Sequence, residues 1–99
     1  MQERKLTLYI LKCSDNSYYT GVTNDVERRL AEHQEGQKVT SYTFNKRPVE
    51  LVFTEEFTDF KRAFSKEKQI KRWSRAKKEA LINGDFDELI KLSNGGGKK

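Results

Sequence analysis

The sequence predicts an α+β fold: a small three-stranded antiparallel sheet flanked by helices, in the order β-β-α-β-α-α-α. Three observations predict it. Two alternating stretches, residues 5–12 and 17–23, are separated only by the turn formers Ser14, Asp15 and Asn16, which is a hairpin signature. A third alternating stretch follows Pro48. Between and after these lie segments with helical spacing and recognisable start and stop residues. At 99 residues the chain is one domain with a small core. Residues 1–92 are assigned to that domain and residues 93–99 to a flexible tail.

In the first strand Leu6, Leu8 and Ile10 share one face, and Thr7, Tyr9 and Leu11 the other. In the second, Tyr19, Gly21 and Thr23 alternate with Tyr18, Thr20 and Val22. A three-residue loop, Ser14 to Asn16, sets the register Leu11 opposite Tyr19 and Tyr9 opposite Gly21. Tyr9 and Tyr19 then become diagonal neighbours on one face, with a hollow at Gly21 opposite Tyr9. A two-residue loop would separate the two tyrosines onto opposite faces.

Asn24 and Glu27 have the spacing of a capping box, and Gly36 is a natural helix stop. Val26 and Leu30 form the apolar side of this helix. Arg29 and His33 lie four apart, on or beside that side. Residues 37–48 are polar without a period and read as a mobile loop carrying Lys46 and Arg47. After Pro48 the third strand places Val49, Leu51 and Phe53 on one face.

The second helix is expected to start at Thr58, with Phe60, Ala63, Phe64, Ile70 and Trp73 as its apolar stripe. Glu67 falls inside that stripe, where a carboxylate is costly unless paired or metal-bound. Ser74 starts a third helix that ends at Asn83-Gly84, and Asp85 with Glu88 caps a fourth. With the first strand central, the first helix crosses between the two outer strands.

Hydrophobic residues make up 34% of the chain and charged residues 35%, and no apolar run approaches the ~18 residues of a membrane span. The N-terminus lacks an apolar stretch of signal-peptide length, and the lone Cys13 fits a reducing compartment. A cytoplasmic protein without a membrane partner is expected. Net charge is +5, and nine of the basic residues fall between Lys61 and Lys78 with only Glu67 against them. That stretch suits a polyanion, nucleic acid above all; on charge alone a solvated helix face stands equal to it.

Tyr9, Tyr19, Arg29, His33 and Glu67 supply what phosphodiester hydrolysis requires. The tyrosines offer a general base, provided a cation lowers the phenol pKa. Arginine supplies a fixed, always-charged fork for phosphate, and a lone carboxylate suits Mg²⁺. Each also has a structural reading: strand aromatics, an exposed helix arginine, a core-edge histidine, and a Glu67–Lys71 pair one turn apart. Cys and His clusters of zinc-site type, phosphate-binding glycine loops and Ser or Cys nucleophile motifs are absent from the sequence.

At these residues the sequence resembles the GIY-YIG nucleases, of the small standalone bacterial (UPF0213-like) type. The first motif corresponds to Thr7-Leu8-Tyr9 and the second to Tyr19-Thr20-Gly21, with Arg29, His33 and Glu67 at the family's remaining positions. The resemblance spans roughly residues 5–82. It departs at Thr7, Leu8 and Thr20 within the motifs, and at Val22, where the repair enzymes carry a lysine.

The resemblance implies one-step hydrolysis of DNA with one divalent metal, Mg²⁺ or Mn²⁺, held by Glu67. It implies Tyr9 ahead of Tyr19 as the base, with His33 taking its proton. Tyr19 would orient water or phosphate, Arg29 would bind the scissile phosphate, and Thr23 and Gly21 would support the site. Lys46, Arg47, Lys66, Lys68, Lys71, Arg72 and Arg75 are the candidate nucleic-acid contacts. Many relatives carry a separate DNA-binding domain and this sequence shows none. Selection by substrate structure, in repair or recombination, is therefore expected, with a protein partner as a further source of specificity. The sequence leaves oligomeric state open. The alternatives are a nucleic-acid-binding module with weak or lost catalysis, and a small interaction domain without a nucleic-acid role.

Overall fold

The computed structural model describes residues 5–36 and 43–95. The central strand β1 (Leu6–Lys12) lies between β2 (Tyr18–Thr23) and β3 (Glu50–Phe57), antiparallel to both. The two outer strands therefore run parallel to each other. Helix α1 (Val26–Glu35) makes the crossover between them, and α2 (Phe60–Lys71), α3 (Arg75–Ile82) and α4 (Phe86–Gly95) follow. No helix among the described residues is long and apolar enough to cross a membrane.

The hairpin has the expected register, Tyr9 opposite Gly21 and Leu11 opposite Tyr19. Its three-residue loop closes with the Cys13 amide donating to the Ser17 carbonyl. Asn16 takes the left-handed conformation, φ 70°, which asparagine tolerates better than most residues. On the other side of β1 the pairing slips between Ile10 and Leu11, where Ile10 faces Phe53 and Leu11 faces Leu51. Val52 is the extra residue of this bulge.

Leu8, Tyr9, Ile10 and Leu11 are all buried, because β1 is covered on both faces. One face packs Leu8 and Ile10 with Ile70 of α2 and Leu81 of α3; the other packs Tyr9, Leu11 and Cys13 with Val49, flanked by Val26 and Leu30 of α1. The sheet is thus sandwiched between α1 and the C-terminal helices. A strand covered on both sides reads as a continuous apolar run, and Tyr9 sits deep because α1 covers its face.

Three local expectations are corrected. The N-cap of α1 is Asp25, not Asn24: the Thr23 hydroxyl accepts from the Asp25 amide, and Asp25 Oδ1 accepts from Arg28 N. The N-cap of α2 is Asp59, not Thr58, since its carboxylate accepts from both Lys61 N and Arg62 N, a charged acceptor at a helix start. Phe60 and Phe64 are exposed, at 40% and 49%. The buried line of α2 is Ala63 and Ile70, and at ~100° per residue the two phenylalanines fall roughly 60–100° away from Ala63. Helix α4 runs to Gly95, and residues 96–99 lie outside the described residues.

Gly36 ends α1 in the left-handed conformation, its amide donating to the carbonyls of Glu32 and His33, and Ser74 caps α3 by accepting from Lys77 N, both as expected. Residues 43–48 are more ordered than a periodless loop: Phe44–Lys46 form a turn of 3₁₀ helix. Gln34 ties the segment down, donating through Nε2 to the Val49 carbonyl and accepting at Oε1 from the Val49 amide. The mobile-loop expectation for residues 37–42 lies outside the described residues.

Candidate active site

Tyr9 is 1% exposed, held in the middle of the central strand. Its ring lies over Gly21 of β2: a Cβ placed on that glycine would stand 2.6 Å from the Tyr9 hydroxyl oxygen and 2.7 Å from Cζ. The absent side chain is what allows the ring its position. From there the Tyr9 hydroxyl reaches His33 Nε2 at 3.2 Å. Tyr19, one diagonal step along the sheet, packs on both, with ring centroids 6.2 Å from Tyr9 and 5.1 Å from His33.

His33 is buried in the last turn of α1. Its Nδ1 lies 2.6 Å from the Thr43 hydroxyl, a residue with no exposure. One tautomer satisfies both ring contacts with Tyr9 donating: Nδ1–H donates to Thr43 Oγ1, and Nε2 accepts from the Tyr9 hydroxyl. Thr43 is a site residue that the sequence did not signal, since a threonine in a periodless polar stretch looks like any loop residue.

Arg29 stands one turn before His33 on α1. Burial pushes the Tyr9 phenol well above the ordinary tyrosine range, and Tyr19 adds to this; Arg29 opposes it, by charge and by a hydrogen bond to the phenol. The buried Arg29 Nε lies 3.1 Å from Glu32 Oε1, an ion pair outside hydrogen-bond geometry. Glu32 is a second residue the sequence reading missed. It balances Arg29 while leaving the guanidinium able to take another anion.

Thr23 is buried below the site, with its hydroxyl donating to the Asp25 carbonyl and accepting from the Asp25 amide. Its part is to fix the start of α1, and so the heights of Arg29 and His33. Glu67 comes from the opposite layer. Its side chain is only 18% exposed, and Lys71 Nζ pairs with it at 3.1 Å. Lys71 and Tyr19 line the same cavity. The structure therefore joins Tyr9, Tyr19, Arg29 and His33 in one contact group, and Glu67 approaches it through Lys71 rather than by a direct bond.

The basic residues divide. Lys66 lines a cleft with Lys61 and Arg62 against β3, and Lys68, Lys71 and Arg72 are exposed on or just beyond α2. Three others are engaged in the fold. Lys46 pairs with Asp15 at 2.6 Å, holding that carboxyl well below the usual range. Arg47 donates to the carbonyls of Phe44 and Gln34 and covers the Phe44 ring. Arg75 pairs with Glu79 at 2.9 Å, lies over the Tyr18 ring and donates to the Asn16 carbonyl, pinning α3 to the hairpin tip.

The family model of the GIY-YIG catalytic domain matches residues 5–80. Among curated relatives, a UPF0213 protein of Natronomonas pharaonis is 49% identical over 75 residues, 76% of this chain and 87% of the relative. The UPF0213 protein YazA of Bacillus subtilis is 42% identical over 82 residues, 83% of this chain and 82% of the relative. Two solution structures are similar. The UPF0213 protein BH0048 of Bacillus halodurans has a TM-score of 0.54 at 40% identity, covering 80% of this chain and 83% of that one. EF2693 of E. faecalis has a TM-score of 0.60 at 32% identity, covering 86% and 90%.

Proposed function

This chain belongs to the GIY-YIG nuclease family, and from that premise we propose that it is a divalent-metal-dependent endonuclease that hydrolyses DNA. The observation that carries the reading is the Tyr9–His33 contact of 3.2 Å, with Tyr19 packed on both and Arg29 acting on the same phenol.

Tyr9 is the general base and His33 the acceptor of its proton. Thr43 holds the imidazole in the tautomer whose Nε2 accepts from the Tyr9 hydroxyl. Burial, with Tyr19 adding to it, opposes ionisation of Tyr9, so the proton leaves only with cationic help; Arg29 supplies part of it. Arg29 also receives the scissile phosphate, exchanging some of its interaction with Glu32 for the phosphate oxygens. Tyr19 orients the attacking water or the phosphate from beside both rings.

Glu67 is the residue that would hold Mg²⁺ or Mn²⁺. The donor set fits: Mg²⁺ accepts one or two carboxylates and keeps several waters. Glu67 is half-buried, and its present counter-ion Lys71 is 52% exposed. When bound, the metal supplies charge neutralisation at the phosphate and leaving oxygen. Among the described residues there is no cluster of three or more acidic, His or Cys side chains that would form a closed metal cage.

The DNA footprint is Lys66, Lys68, Lys71 and Arg72, while Lys46, Arg47 and Arg75 are engaged in holding the fold. Selection by substrate structure in repair or recombination, within the cytoplasm, is the cellular role assigned. A specific observation favours a second reading, a binding module of low activity: as it stands Tyr9 is held protonated and Glu67 is neutralised by Lys71.

The test is cleavage of labelled single-stranded, duplex, flapped and branched DNA, and of RNA, with Mg²⁺ or Mn²⁺. Wild type is run beside Glu67→Ala. Metal-dependent cutting that the variant loses is expected. Equal cutting by both proteins sinks the assignment, and salt-sensitive binding without cutting by either moves it to the binding module.

A further inference from the structure

One cavity and one buried hydroxyl have no part in the chemistry above. The cavity, about 310 Å³, lies along the edge strand β2 and is lined by Tyr18, Tyr19, Thr20, Lys71 and Lys78. It is at the small end of ligand pockets, which run roughly 300–1,000 Å³, and has ample room for a phosphate group. Lys71 comes from the end of α2 and Lys78 from α3, so two separate helices each contribute a lysine to its lining.

Thr20 is 3% exposed, and its Oγ1 is buried with no hydrogen-bond partner among the described residues. Buried hydroxyls are nearly always partnered, so one left without a partner beside the cavity is a spare donor, which a turn of the side chain would offer to a ligand. No carboxylate lines the cavity. Glu67 pairs with the lining residue Lys71 and must yield that ammonium to an anion, while Glu79 pairs with Arg75 and the Tyr18 hydroxyl. Two ammonium groups and a hydroxyl donor with no lining acid select a compact anion with several acceptor oxygens.

We infer that this cavity binds a second phosphate of the strand being cut, through Lys71 Nζ, Lys78 Nζ and the Thr20 hydroxyl as donor. The identity of the anion as a strand phosphate rests on the nuclease reading; the anion site itself does not. Tyr19 is the shared wall between this cavity and the Tyr9–His33 group. A bound second phosphate therefore fixes the strand relative to the scissile bond. Substrates with only one phosphate should bind poorly.

Two experiments test this. Inorganic pyrophosphate is titrated into the protein while backbone amide resonances are followed. Saturable shifts at Thr20, Lys71 and Lys78 are expected. Lys78→Ala should weaken binding about tenfold or more, the worth of one charged hydrogen bond. Thr20→Val should weaken it too while leaving the fold intact, since it exchanges a buried unpartnered hydroxyl for a methyl of the same shape. No saturable shift, or unchanged affinity in both variants, overturns the anion site.

The second experiment is cleavage of oligonucleotides carrying one neutral methylphosphonate linkage near the scissile bond, or lacking the terminal phosphate. One of these losses should slow the wild type about tenfold or more, and the effect should vanish in Lys78→Ala. Which substrate is affected tells an internal phosphodiester from a strand end. Metal-dependent cutting that ignores both losses overturns the second-phosphate inference and leaves the nuclease. Absence of cutting with pyrophosphate shifts present removes the nuclease reading and leaves an anion site.

Discussion

The Tyr9 hydroxyl, from the middle of the central strand, lies 3.2 Å from Nε2 of His33, in the last turn of the crossover helix. The two residues are 24 positions apart, and the contact depends on the hairpin register, the helix start and the hollow at Gly21 all being right. Tyr9→Phe removes one atom of this pair. Cleavage is expected to fall ~10²- to 10⁴-fold, the usual worth of a general base, with the circular dichroism spectrum unchanged. Single-turnover rates with near-wild-type values would transfer the base role to Tyr19.

Gly21→Ala puts a methyl 2.6 Å from the Tyr9 hydroxyl oxygen and 2.7 Å from Cζ. Tyr9 is walled in and must shift as a whole. A loss of about 1–3 kcal/mol, typical of an overpacked interior, is expected in urea unfolding. Cleavage should fall further than stability explains, because the shift carries the phenol away from His33.

Thr43→Val removes the 2.6 Å contact to His33 Nδ1 while keeping the side-chain shape. The stability loss should be about 1 kcal/mol. Cleavage should drop, and Thr43→Ser should restore it, because the serine hydroxyl can hold the same tautomer. A valine variant of full activity would show that the imidazole needs no orientation from this side.

Mg²⁺ or Mn²⁺ is expected to raise the melting temperature of the wild type, since any ligand that binds only the folded chain stabilises it. Glu67→Gln should abolish that rise. The lost Glu67–Lys71 pair has a half-exposed lysine and contributes well under ~1 kcal/mol, so the variant's melting point without metal should hardly move. This readout is independent of cleavage.

Alkaline pH tests the burial of Tyr9. Its folded-state pKa is raised above the ordinary 10.0, first by desolvation and then by Tyr19. Above pH ~10 the unfolded chain releases this proton and the folded chain keeps it, so stability falls as pH rises. The contribution is present in full below that pH. Urea unfolding of Tyr9→Phe should show a shallower decline above pH 10 than wild type; identical slopes would mean the phenol is not buried as described.

Local chemistry made most of the fold legible. Asp15 and Asn16 as turn formers, Gly36 as a stop and Ser74 as a cap act within a few residues, so their meaning is carried by the chain itself. The alternation of β1 and β2 with a three-residue loop was enough to set Tyr9 beside Tyr19 and opposite Gly21, because a strand has only two faces. Asn24 and Thr58 were misjudged because two adjacent cap residues compete, and a bond such as Thr23 to Asp25 decides between them. Phe60 and Phe64 were misjudged because period gives an apolar side to within about a turn's width, and the sheet contacts only the Ala63–Ile70 line of it.

The sequence by itself determined the element order, the hairpin register and four residues of the contact group, since each depends on short-range spacing. Only the tertiary structure decided that Thr43 holds His33, and that Arg47 and Arg75 are tied into the fold. It alone brought Lys71 and Lys78 to one cavity with Thr20 Oγ1. Those are meetings between separate elements, fixed by how two helical layers pack on the faces of β1, and a packing distance across the sheet leaves no period in the chain.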